Sequence, residues 1–290
     1  MQVAMKRDAI RRKTIEPKSN AANDPRDGGV QSVDRALSII ETLAEDDEGY
    51  RLSDLAVRTG LSTSTVHRLL ATLEKRRFVQ FDRYELKWHV GAQSFTVGAT
   101  FARRRNFVAQ AMPYLRKLRD QTRETANLAV VDDESIIVLT RMESREIMRS
   151  LTKVGGRVAM VASGVGKAVL ATYSDEDVNA IIRRQGMPRL TEKSIVRPGE
   201  LFKELQAIRR RGYAVDDEEA RIGLRCVAAV VYNDCSEPLA AISVSGMTSR
   251  VTDDRLPALG RTVHEVAAEL TVALRGVLPV AAEASRSADE

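Results

Sequence analysis

Four clusters in the C-terminal half have residue types and spacing that suit chemistry: Ser163-Gly164-Val165-Gly166-Lys167-Ala168, Asp216-Asp217-Glu218-Glu219, Cys226, and the pair Ser243 and Ser245. Glycines ahead of a lysine suggest a phosphate loop, but that loop needs a glycine five residues before its Gly-Lys pair and Ser or Thr after it. Here those positions are Val161 and Ala168. A nucleophile needs a base, and the chain has three histidines, His67, His89 and His264. Only His264 lies in the same half as Cys226, and its polar surroundings predict a solvated surface residue. The carboxylates at 216–219 suit a divalent cation but lack the spacing of a calcium loop, so the run reads as a solvated turn. No catalytic residue, metal site or cofactor is expected.

The same clusters are better suited to holding a small anion. Ser163 to Gly166 precede the apolar run 168–171, which puts their backbone N–H groups at a helix N-terminus, where a carboxylate is favoured. In Ala241-Ile242-Ser243-Val244-Ser245-Gly246 the alternation of a strand puts both serines on one face. From the residues alone the bland reading is still preferred: the serines face solvent and the glycines serve tight turns.

A second group of polar residues lies near the N-terminus. Val66, Leu69, Leu70 and Leu73 recur with the spacing of one buried helical face. Away from that stripe fall Thr63, Ser64, Thr65, His67, Arg68 and Thr72, hydroxyls and cations suited to base edges and phosphates. Ser62 is a good N-cap for this helix, and Gly60 can take the left-handed conformation of a sharp turn after a shorter helix carrying Leu55 and Ala56. Phe78 to Phe81 and Tyr84 to Val90 predict a hairpin around Asp82-Arg83, a helix spans about Ser32 to Glu45, and Arg51-Leu52 offers a short strand. That order is a winged helix-turn-helix, with Ser62, Thr63, Ser64, Thr65, His67 and Arg68 as its DNA-contacting face.

Charge agrees with this placement. Of 45 Lys+Arg and 40 Asp+Glu, 19 basic and 14 acidic residues lie in 1–106, while 107–290 holds 26 of each. The whole net charge of +5 therefore sits on the DNA-binding end, where it can neutralise phosphate. The basic residues between Lys6 and Lys18 read as solvated, and Arg103 to Arg105 face either phosphate or water. At 290 residues the chain has room for two domains. Its two cysteines, Cys226 and Cys235, argue against a disulfide framework, and it has neither a signal-peptide core nor an 18-residue apolar run. The expectation is a cytoplasmic protein with no membrane partner.

The predicted organisation is α+β. A flexible lead (1–29) is followed by the winged helix-turn-helix (30–90), a linker helix (91–106), an α/β effector-binding domain (107–276) and a flexible tail (277–290). In the larger domain, helices are expected near 107–123, 164–172, 199–211 and 253–275, with strands near 126–131, 135–141, 226–232 and 239–245.

Over about Val30 to Arg275 the chain resembles the IclR family of bacterial transcriptional regulators. The resemblance rests on Gln31 to Leu37, Leu61 to Leu70, Trp88 to Gly91, Gly155-Gly156-Arg157, Ala162 to Ala168, Arg211 to Glu219, Gly223 to Cys226 and Ala240 to Arg250. It implies a GAF-like effector domain behind the winged helix-turn-helix, dimers or tetramers on a palindromic double-stranded operator, and no catalysis. The likeness is nearest to the glyoxylate- and pyruvate-responsive member. By that likeness a small carboxylate effector would contact Gly164 and Val165 through backbone N–H, with Asp216, Cys226, Ser243 and Ser245, beside a wall of Ile147, Ser150 and Val158. Ser150 stands where that member has methionine, so a methyl group gains less here, about 1 kcal/mol, and glyoxylate is expected ahead of pyruvate. Asp216 would accept from the hydrated aldehyde, and Cys226 is expected to be an inert lining thiol rather than one that adds to the aldehyde. The alternatives are a regulator responding to an aromatic acid, or an α/β enzyme carrying an accessory DNA-like module. Steep salt dependence of DNA binding would separate the regulator from the enzyme.

Overall fold

The computed structural model describes residues 29–104, 107–133, 135–144 and 153–279, the side chains of 102–104 excepted. The chain forms two compact units that divide between Phe101 and Ala102.

In the first unit, α1 (Gln31–Ala44), α2 (Leu52–Thr59) and α3 (Thr63–Lys75) precede a hairpin of β1 (Val79–Asp82) and β2 (Lys87–Val90), and α4 (Ala92–Arg104) begins after Gly91. Its core joins Ile39, Leu43, Leu55, Val66, Leu70, Val79 and Trp88, with Leu69 and Leu73 packed on it at half burial. The apolar stripe of α3 is thus what the helix buries. The turn follows from two residues. Gly60 ends α2 in the left-handed region at φ 66°, its N–H donating to the Ala56 carbonyl, and Ser62 caps α3 by accepting from the Thr65 N–H at 3.2 Å. Arg51-Leu52 does not form the strand expected of it: Arg51 is the N-cap of α2 and Leu52 its first residue, so only Tyr50 bridges to Trp88.

The second unit is built on one antiparallel sheet. It contains β3 (Thr125–Asp132), β4 (Ser135–Met142), β5 (Arg157–Ala159), β6 (Ala214–Asp217), β7 (Leu224–Tyr232) and β8 (Pro238–Met247), in the order β5-β4-β3-β8-β7-β6. α5 (Phe107–Thr122) and α9 (Leu256–Ala273) cover one face through Leu115, Leu118, Val263 and Leu270 against Leu128, Val227 and Ile242. The other face carries small residues, Ala129, Ala214, Ala228 and Ala241. α6 (Gly164–Leu170) packs directly on them, α8 (Pro198–Arg211) packs on α6, and α7 (Asp175–Gln185) packs on α8. Short side chains let α6 lie close to the strands, and this face holds the polar cluster described next. β5, α7 and β6 had no counterpart in the sequence reading.

Candidate functional site

The face of the first unit proposed for DNA is built by α3 and its cap. Ser62, Thr63, Ser64, His67 and Arg68 are exposed, while Thr65 is half-buried. Its hydroxyl lies 2.8 Å from Ser62 Oγ, and Ser64 Oγ lies 3.1 Å from the same atom. Those three hydroxyls therefore stiffen the start of the helix, while Arg68, one turn on beside His67, carries the cationic part of the surface. Beside them the hairpin turn is held by Asp82, whose Oδ1 accepts from the N–H groups of Tyr84 and Glu85 at 2.8 and 3.0 Å. Those bonds, with Glu85 first, hold its carboxyl below the usual range. The turn presents Tyr84 almost fully exposed, and the rings of Phe81 and Trp88 meet at 4.9 Å between centroids, tilted by 45°. Arg103 and Arg104 lie in α4 with side chains outside the described residues, and Arg105 lies outside them altogether.

In the second unit, strand register assembles the polar residues. Asp216 pairs with Cys226, Cys226 with Ser245, and Ser245 with Thr125, one row across β6, β7, β8 and β3. The adjacent row holds Ala228, Ser243 and Asn127. Contrary to the solvent-facing reading, Ser243 and Ser245 are 1% and 6% exposed, because β8 is a central strand lying under α6. Asn127 Nδ2 lies 3.3 Å from both Oγ atoms. Asn127 was not foreseen, although a polar residue on the same strand face as Thr125 within Ala126–Val131 was a signal for it.

The N-terminus of α6 lies against this row. Ser163 caps the helix, accepting from the Gly166 N–H at 3.0 Å and donating to the Ala159 carbonyl at 2.8 Å. A Cβ on Gly164 would sit 3.1 Å from the Cys226 carbonyl oxygen and 3.4 Å from its sulfur, so glycine is what allows the approach. The N–H groups of Gly164 and Val165 are in the first turn, where no helical carbonyl can accept from them. Of the remaining wall residues, Val158 is half-buried on β5, while Ile147 and Ser150 lie outside the described residues.

The acidic run is not the solvated turn that its composition suggested. Asp216 and Glu219 point inward at 4% and 6% exposure. Asp217 and Glu218 instead meet Lys193 at 3.2 and 2.6 Å, and Asp217 also accepts from Arg225 at 2.5 Å. At the β6 end of the row α6 buries Lys167, 1% exposed, whose Nζ donates to the Val215 carbonyl at 2.6 Å and to Glu219 Oε1. That buried cation, 52 residues away in sequence from Glu219, is what makes an inward carboxylate tolerable. Burial first and Glu219 second push the Asp216 carboxyl up to about 6, against the Glu219 and Ala220 N–H groups that it accepts from. Burial, followed by Asp216, pushes the Cys226 thiol up to about 11. His264 also departs from expectation: it is half-buried, and its Nδ1 meets the Gly212 carbonyl at 3.0 Å, bracing the end of α8.

Among the described residues no group of three or more His, Cys, Asp or Glu is placed to hold a metal ion, and no helix is long and apolar enough to cross a membrane. What the cluster can do is bind: a sheet floor with two hydroxyls and an amide, an adjoining helix start and one strained carboxyl.

Comparison with known proteins gives consistent matches along the chain. Residues 32–83 match the profile described as IclR helix-turn-helix domain, and residues 99–272 match Bacterial transcriptional regulator IclR C-terminal. The acetate operon repressor of Salmonella typhimurium is 42% identical over 89% of this chain and 95% of its own length. The transcriptional repressor IclR of Escherichia coli is 40% identical over 90% and 96%. The crystal structure of an IclR-type transcriptional regulator from Alicyclobacillus acidocaldarius superposes with a TM-score of 0.72 at 25% identity, covering 85% of this chain and 99% of that one.

Proposed function

The chain belongs to the IclR family of bacterial transcriptional regulators, and on that premise we propose that it is a repressor of carbon-metabolism genes that answers to a small 2-oxo acid. Glyoxylate is the first choice and pyruvate the second. The protein acts in the cytoplasm as a dimer or tetramer on a palindromic operator. Both relatives named above are repressors, which supports repression as the role here.

The observation that carries the effector reading is the buried hydroxyl pair Ser243 and Ser245 with Asn127, next to the first amides of α6. Buried donors need acceptors, and a carboxylate is one that takes several. In this reading the carboxylate lies between the Gly164 and Val165 N–H groups and the serine hydroxyls. Asp216 accepts from a hydroxyl of the hydrated aldehyde at the other end. The thiol of Cys226, protonated at neutral pH, lines the pocket without reacting. The effector reading depends on side chains fixed by strand register, and the helix start adds to it.

Calorimetry and mobility shift on DNA from upstream of the gene test the proposal together. Glyoxylate should bind the wild type and release the DNA. The double variant Ser243→Ala, Ser245→Ala should still bind DNA but lose about 3 kcal/mol of glyoxylate affinity, roughly a hundredfold. Equal glyoxylate binding by the two proteins, or an aromatic acid binding where glyoxylate does not, refutes the pocket.

A further inference from the structure

Asn127 has a backbone fixed on both sides, since β3 pairs with β4 and with β8. It stands opposite Ser243 and one row from Ser245, with Nδ2 3.3 Å from each hydroxyl oxygen. A side-chain amide nitrogen carries two hydrogens and no free lone pair, so each hydrogen is directed at one serine and each serine accepts. A hydroxyl that accepts from one neighbour keeps its own hydrogen to give to another. With the amide turned over, its carbonyl oxygen would take both hydroxyl hydrogens, and the serines would offer only lone pairs to the space above the sheet. The same three side chains thus make two sites of opposite polarity. Burial adds weight to the choice, because at 8%, 1% and 6% exposure Asn127, Ser243 and Ser245 have little water to reorient them.

We propose that Asn127 is a positioning residue that sets the polarity of Ser243 and Ser245, making them a pair of O–H donors and so tuning this site to a carboxylate. The ligand class rests on the effector reading above, whereas the hydroxyl polarity does not.

Two measurements separate these parts. Neutron diffraction from crystals of the full chain exchanged into heavy water needs no ligand. It should place deuterium on Asn127 Nδ2 toward both serines and none between a serine oxygen and the amide carbonyl. The reverse pattern overturns the proposal. Calorimetry then compares wild type with Asn127→Asp, which cannot donate when ionised, using sodium glyoxylate and the neutral glyoxylamide. Glyoxylamide suits either polarity, because it can accept through oxygen or donate through nitrogen. At neutral pH glyoxylate affinity should fall at least a hundredfold and glyoxylamide affinity no more than threefold. Equal losses for both ligands, or no loss for either, overturn the positioning role. Should Asn127→Asp fail to fold by circular dichroism, Asn127→Ala removes the bias without adding charge. It should cost glyoxylate about tenfold more than glyoxylamide, with equal costs counting against the proposal. Wild type that ignores glyoxylate refutes the effector reading, and the neutron density then decides the polarity by itself.

Discussion

Replacing Asp216 by asparagine should stabilise the protein above about pH 6 and leave it little changed near pH 4. Asp216 is 4% exposed, and its carboxyl is pushed from 3.8 to about 6, by burial first and by the neighbouring Glu219 second. The folded state therefore holds this proton more tightly than the unfolded chain does. Stability from such a group is fully present below 3.8 and is lost as pH rises toward about 6, above which the ionised buried carboxylate is a constant cost. At about 1.4 kcal/mol per pH unit, that interval amounts to about 3 kcal/mol. Asparagine keeps the Oδ1 that accepts from the Glu219 and Ala220 N–H groups at 2.7 and 3.3 Å, so the turn survives while the charge and its repulsion with Glu219 go. Urea unfolding of both proteins between about pH 4 and pH 8 provides the assay. The two curves should meet at the acid end and separate by up to about 3 kcal/mol at the alkaline end. Curves that stay parallel, or a variant less stable at the alkaline end, refute the reasoning.

Two further outcomes are expected. Arg68→Ala should weaken specific operator binding by about 1 to 3 kcal/mol in a mobility-shift titration without moving the thermal midpoint, since Arg68 is exposed on α3; equal affinities would remove it from the recognition face. Gly166→Ala should lower the stability of the second unit by about 1 to 3 kcal/mol or more and weaken effector binding, because the new Cβ would lie 2.1 Å from the Met160 carbonyl oxygen, a backbone atom that cannot swing aside. An unchanged thermal midpoint would mean that α6 is less tightly seated than described.

The elements legible in the sequence were those with a strong period or a sharp stop. Val66, Leu69, Leu70 and Leu73 announce α3, and Gly60 and Ser62 announce the turn before it, because these are local effects of backbone and cap. β8 was legible by alternation, though the burial of its serine face as well as its apolar one was not. That depends on α6 arriving from 80 residues earlier in the chain, and so the serines were assigned to solvent. α7 was missed because its apolar stripe is thin, Val178, Ile181 and Ile182, although Ser174, three acids in its first turn and Gly186 after its end were present as boundary signals. β6 was missed for a different reason. Its Asp216 and Asp217 look like surface residues until Lys167, remote in sequence, comes near the first and Arg225, on the paired strand β7, meets the second. Non-local pairing of polar groups leaves no periodic trace, whether it is the Lys167–Glu219 ion pair or the hydrogen bond of His264 with the Gly212 carbonyl.

The two cysteines differ in access, and labelling chemistry inherits the difference. Cys235 is exposed on the turn between β7 and β8, whereas Cys226 is half-buried in the polar row. With its thiol near 11, roughly one Cys226 in a thousand is thiolate at pH 8, before access is considered. A maleimide dye will therefore mark a single site without any cysteine being removed. With Cys235 blocked, slow alkylation of Cys226 becomes a clock on the proposed effector site, and an effector bound there should stop it.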